Sequence, residues 1–247
     1  MTRRARIALF LPALAGFAAL LFWGLAGIPD FGHYRGPYGH VLDRIVTPER
    51  HVTNVVTGVV FDVRGFDTLG EEFILFAAVA GVVLLLRGGR EHPANTGDTV
   101  ASETVHVVGT LMVGAAVLVG LWLVAFGFVT PGGGFQGGVA VGAGALLLYL
   151  ASGFRAWRRF GDERVLDPLE GLGAGGYAVV GLAALVSGMP FLANLFAPGT
   201  TGTLESGGSS VLVNWAAALE ISAATLVLYT EFLQEYVVPL GAGRAGS

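Results

Sequence analysis

The chain has 247 residues, of which 53% are hydrophobic and only 13% charged, with a net charge of −4. Soluble domains carry about a quarter charged residues, so this composition points to a lipid bilayer and away from a nucleic-acid partner. With no cysteine there is no disulfide, thiol nucleophile or thiolate metal site. All 14 basic residues are arginine, so no lysine is present to serve as a titratable switch.

A membrane-spanning helix takes about 20 mostly apolar residues. The first such run, Ile7–Ile28, follows Arg3, Arg4 and Arg6. It is longer than the ~7–15 residue core of a signal peptide and ends without a convincing cleavage site, so it reads as an uncleaved anchor. A long outer loop, Pro29–Phe66, follows; it holds His33, His40 and His51 and the amphipathic piece "HVTNVVTGVVFDVRGFDTLG". The second apolar run, Leu69–Leu86, has Glu71 and Glu72 at its start, and the polar linker Gly88–Glu103 comes after it. That linker divides the chain into a two-helix region, 1–95, and a four-helix region, 96–247, whose runs are Val105–Gly127, Phe135–Ser152, Leu172–Met189 and Val211–Phe232. The expected fold is therefore an all-α polytopic membrane protein with about six transmembrane helices.

Arginine placement orients these spans. With a cytoplasmic N-terminus, one side receives Arg3, Arg4, Arg6, Arg87, Arg90, Arg155, Arg158, Arg159, Arg164 and Arg244, and the other receives only Arg35, Arg44, Arg50 and Arg64. That asymmetry follows the positive-inside rule with both termini cytoplasmic.

Charges within spans are costly and need a reason. Glu220 lies in the middle of the last apolar run, eleven residues from Glu231, close to three helical turns and so on the same face. Two readings of Glu220 stand: a structural carboxyl bonded to a neighbouring helix, or a carrier of protons or ions. Glu231 reads as a headgroup residue. The segment "FDVRGFDTLGEEF" gathers Asp62, Arg64, Asp67, Glu71 and Glu72; Arg64 suits a carboxylate partner and Asp67 suits a helix N-cap. Glu103 and His106, three residues apart, read as an interfacial pair, because a bundle metal site needs a second such motif.

Between the third and fourth runs stands "TPGGGFQGG". Gly134, Gly138 and Gly142 recur every four residues and leave a bare stripe where another helix can approach closely. Pro131, Gly132 and Gly133 interrupt the helix, so their backbone groups must be sheltered by protein or reach water. The literal G-x-G-x-x-G match at Gly171–Gly176 opens an apolar helix without a preceding strand, and reads as close packing rather than a dinucleotide site.

The stretch "TPGGGFQGGV" followed by "LLLYLASG" resembles the B-subunit of Mrp-type (Mnh-type) multisubunit cation/proton antiporters. "SGMPFLAN" and "NWAAALEISAATLVLYTEFL" sit where that family has a G-x-P-F segment and its last helix, so the likeness covers about 104–236. "DVRGFDTLGEEF" resembles a motif at the C-terminal end of the large A-subunit, also found as a small subunit of membrane-bound hydrogenase modules. The resemblance implies a natural fusion of the two, with Asp62, Arg64, Asp67 and Glu71 as the motif positions and Glu71 as a carboxylate important for ion transport. Where many relatives have a histidine three residues before the proline, this chain has Phe128.

The resemblance thus implies an accessory subunit of a monovalent cation (Na+)/proton antiporter in the bacterial inner membrane, not an enzyme and with no cofactor or metal. Large antiporter-like and small membrane subunits would be its partners. Glu71, Glu220, Asp67, Asp62, Arg64 and Glu231 would border the ion path, and Pro131, Gly132, Gly133, Gly134, Phe135, Gly138 and Gly142 would serve connection and packing. Alternatives are a self-contained small transporter or channel, a subunit of a redox-driven ion pump, or a membrane enzyme built on the outer-loop histidines.

Overall fold

Apolar runs broken by polar or glycine-rich junctions fold here as helices. The computed structural model describes residues 3–28, 36–87, 102–157 and 159–236, and it shows no strand among them. Helix α1 covers Arg3–Ala26. Helix α2, Pro37–Arg50, occupies what the sequence presents as loop; it starts on a proline, whose fixed φ suits the first helical position, and buries Leu42 and Val46. A single turn, α3 (Val55–Gly58), continues into a π-helical turn, Val59–Val63. Then come α4 (Gly65–Arg87), α5 (Glu103–Ala125), α6 (Gly134–Trp157), α7 (Glu163–Val186) and α8 (Ser210–Tyr236).

Among the described residues, five helices are long and apolar enough to cross a membrane: Gly65–Arg87, Glu103–Ala125, Gly134–Phe154, Glu163–Val186 and Ser210–Gln234. The expected first span instead supplies a shorter apolar helix, Phe10–Ala26. Residues 1–41 form one compact unit and 42–247 another. His33 and most of the 88–103 linker lie outside the described residues.

Within the second unit, α5 packs on α6, α6 and α7 pack on α8, and α4 packs on both α7 and α8. A Cβ at Gly138 would lie 2.7 Å from Ile221 Cβ, and one at Gly142 would lie 2.5 Å from Thr225 Cγ2. Together with Gly134, which faces Asn214 and Ala217, these glycines give α8 a bare track along α6. The neighbour on this stripe is thus a helix of the same chain. On the other side of α6, Gly137 faces Gly120 of α5, backbone against backbone. The contacts make α6 and α8 run parallel, while α5 and α7 run opposite to them.

The α5–α6 connection is irregular, and side chains from two other segments satisfy its backbone. Asn54 Nδ2 donates to Gly127 O (2.8 Å) and Thr130 O (3.0 Å), Thr53 Oγ1 to Val129 O (2.6 Å), and Thr57 Oγ1 to Gly132 O (3.2 Å). From α8, Asn214 accepts from Gly134 N at 2.7 Å and donates to Val124 O at 3.1 Å. Gly133 has φ +136°, a conformation that L side chains rarely adopt, and its N–H closes back on Leu123 O. A buried junction has to satisfy its polar backbone in this way, since lipid offers no partner.

Helix α7 begins at Glu163, nine residues before the apolar run suggests, because Asp162 caps it by accepting from Arg164 N at 3.0 Å. Beyond α7, Asn194 ties the loop down: it accepts from Ser209 N (2.6 Å) and Ser209 Oγ (2.9 Å) and donates to Gly207 O (2.9 Å).

Candidate functional site: buried acids between three helices

Helix α4 places two glutamates in succession, and 100° of rotation per residue separates their fates. Glu71 is exposed on the chain, at the edge of a cavity of ≈ 200 Å³ lined also by Thr57, Val60, Thr68, Gly132 and Gln136. Glu72 is fully buried against α8, where it meets Glu220, itself fully buried. The two carboxyls lie in mutual hydrogen-bond reach. Among the described residues no N–H or O–H donates to any of their four oxygens. The hydrogen bond available to them is therefore with each other, and it requires a proton.

Helix α7 comes close to this pair because it has no side chain at the contact. A Cβ at Gly173 would lie 2.6 Å from Glu220 Cα, so the second glycine of the G-x-G-x-x-G match carries α8 at its acid position. One turn away on α7, Glu170 is 6% exposed; its Oε1 has no donor among the described residues, and the charges of Glu220 and Asp167 act on it. Further toward the start of α4, Tyr177 donates from its hydroxyl to Gly65 O at 2.9 Å.

At the far end of α4 the acids are paired. Arg87 donates from Nε to Glu231 Oε1 (2.7 Å) and grips Asp167 with both Nη atoms (2.6 and 2.9 Å). Glu163 Oε2 lies 3.5 Å from the same Nε. Glu231 is fully buried within the chain and paired with Arg87.

The motif around Arg64 is arranged differently from its sequence reading. Asp67 lies in the first turn of α4, which starts at Gly65, and so is not the N-cap; it accepts from Arg64 Nε at 2.6 Å in an exposed pair. Asp62, in the π-helical turn, has a side chain only 5% exposed, 3.5 Å from Arg50 Nε. Burial raises its pKa above the ordinary carboxylate value, opposed by the Arg50 guanidinium and the Asn194 amide. The backbone here also needs help: Thr68 Oγ1 donates to Val60 O at 2.6 Å.

The remaining candidates scatter. His106 Nδ1 lies 2.9 Å from Ala151 O on α6, so its partner is a carbonyl next to the Gly153 kink rather than Glu103. His51 contacts Gly199 O, and His40 stands in α2. Pro131 is exposed, and Phe135 packs against the cluster around Phe61, Phe128 and Ala217.

Residues 104–227 match a family described as a domain related to the MnhB subunit of the Na+/H+ antiporter. The chain belongs to that family. Among its relatives, an uncharacterised protein of Methanocaldococcus jannaschii is 33% identical over 161 residues, 58% of this chain and 60% of that one. A probable A/B-type K+/H+ antiporter protein of Rhizobium meliloti is 32% identical over 168 residues, 57% of this chain and 16% of that one. The chain therefore spans less than two thirds of the length of either relative. In structure it is similar to a chain of the membrane-bound sulfane sulfur reductase, an archaeal respiratory membrane complex, with TM-score 0.73 and 28% identity over 93% of this chain and 99% of that one. It also shares the fold of a chain in the Mrp complex from Dietzia sp. DQ12-45-1b, with TM-score 0.71 and 22% identity over 94% of this chain and 26% of that one.

The MnhB-related region takes in α5, α6, α7 and most of α8, and so contains Glu170 and Glu220. Glu72, Arg87 and Glu231 fall outside it. The acid seam is therefore completed by a helix that precedes the family domain. In the sequence, Glu71 is the member of the adjacent pair marked for ion transport while Glu72 stands beside it without a role, and Glu170 and Asp167 carry no signal. A period-3.6 projection of α4 gives two faces for the two acids, but the buried face emerges only once α8 is in place.

Proposed function

We propose that the chain is an accessory membrane subunit of a multisubunit monovalent cation (Na+)/proton antiporter, and not an enzyme in its own right. It would sit in the bacterial inner membrane with both termini cytoplasmic, among large antiporter-like and small membrane subunits. Its own contribution would be assembly and an acid-lined border to the ion path, with Glu71, Glu72 and Glu220 as principal groups, Asp62, Arg64 and Asp67 at the start of α4, and Glu231 anchored at its end. The meeting of Glu72 and Glu220 between α4 and α8 carries this reading, since buried carboxyls in a span are costly unless they handle charge. The A/B-type relative from Rhizobium meliloti supports the idea that one chain joins an A-type segment to a B-type domain.

The likeness to a respiratory complex favours a second reading, membership of a redox-driven ion pump of the same architecture. Affinity purification of the tagged chain from native membranes separates the two. Antiporter-like subunits without redox subunits support the first reading, and co-purifying redox subunits support the second. Purification of the chain alone, active in liposomes, would contradict both.

A further inference from the structure

We propose that Glu72 and Glu220 form a single proton-binding site, in which one proton is shared between the two carboxyls across the α4–α8 contact. This rests on the reading above only for its role in transport; the site itself rests on geometry. Both side chains have no exposure, and all four carboxyl oxygens lack a donor among the described residues. Two ionised carboxylates in contact within a buried seam repel each other and forfeit their hydration, whereas one proton turns the same contact into an O–H···O⁻ hydrogen bond.

The surroundings restrict this proton further. Glu71 on α4 acts on Glu72, and the pair in turn acts on Glu170 and Tyr177 of α7; the acids among these neighbours bring negative charge, not a donor. Arg87 is committed to Asp167 and Glu231 at the end of α4. Gly173 holds α7 against the backbone of Glu220. Glu170, buried and with one oxygen lacking a donor, is the next carboxyl along the seam toward Arg87.

The test is infrared difference spectroscopy of the full chain in lipid nanodiscs at neutral pH, comparing the native protein with Glu72→Gln, Glu220→Gln and the double variant. The expected result is one protonated-carboxyl C=O band that shifts in D2O and is lost in each single variant, because the introduced amide donates to the remaining carboxylate. Glu205→Gln, at an exposed loop position, should leave the band in place. Absence of the band in the native protein would overturn the proposal. So would its survival in either single variant, which would assign the proton to one residue alone. Helical circular dichroism of every variant shows that a lost band is not a lost fold. Co-purification with antiporter-type subunits is a separate readout: its failure with the band present removes the functional reading and keeps the proton site, and the reverse outcome does the opposite.

Discussion

Arg87, the last residue of α4, donates to the buried Glu231 of α8 at 2.7 Å while holding Asp167 of α7 in a two-pronged grip. One guanidinium thus joins the ends of three helices. Removing it takes the guanidinium away from a fully buried carboxylate, so Arg87→Gln should destabilise the chain by about 3 kcal/mol. Adding Glu231→Gln should recover a large part of that loss. Thermal unfolding of the two variants in detergent checks both expectations.

Asn214 bridges the α5–α6 connection by accepting from Gly134 N and donating to Val124 O, both buried. Asn214→Ala strands both partners, and the expected cost is about 2–3 kcal/mol. Asn214→Asp keeps the acceptor but loses the donor, and should fall between. Melting temperatures measured side by side give the ranking.

The glycine track predicts an asymmetry along the helices. Gly138→Leu has to displace α8 at Ile221, with a cost of about 3 kcal/mol or failure to fold. Gly171→Ala meets nothing within 4 Å and should be neutral or slightly stabilising. Yield of monodisperse protein after size exclusion distinguishes the two.

Asp62 supplies a pH dependence. Burial raises its folded pKa above the unfolded value, so the folded state favours the protonated carboxyl. Stability from this group is greatest at low pH and falls as pH rises from the unfolded pKa through the folded one. Asp62→Asn should therefore raise the melting temperature at neutral pH, by the equivalent of about 1 kcal/mol, and match the native chain in acid. A fall at neutral pH would show that the Arg50 pairing outweighs the burial.

The sequence makes the long apolar runs legible because twenty lipid-facing residues leave little ambiguity, and α5, α6 and α8 start within two residues of where composition puts them. Helix α2 was hidden because it is short, carries Asp43, Arg44, Glu49 and Arg50, and buries only Leu42 and Val46. The seam was partly hidden for a different reason. Arg87 lies 80 residues from Asp167 and 144 from Glu231, so no local spacing announces the cluster. Glu71 and Glu72 look equivalent in a linear string, and only the position of α8 decides which is buried. The polar partners of the glycine connection, Thr53, Asn54 and Thr57, likewise come from a segment more than seventy residues earlier.

If the acids between α4 and α8 take part in ion handling by the assembled complex, their loss must slow transport without dismantling that complex. The direct test is cation-dependent ΔpH dissipation in everted vesicles carrying complexes with Glu72→Gln or Glu220→Gln, after assembly is verified by co-purification. Either substitution should lower the rate at least tenfold, about 1.4 kcal/mol on the barrier, with the complex intact. Native rates in both variants would contradict an ion-handling role and leave the chain with a structural one alone.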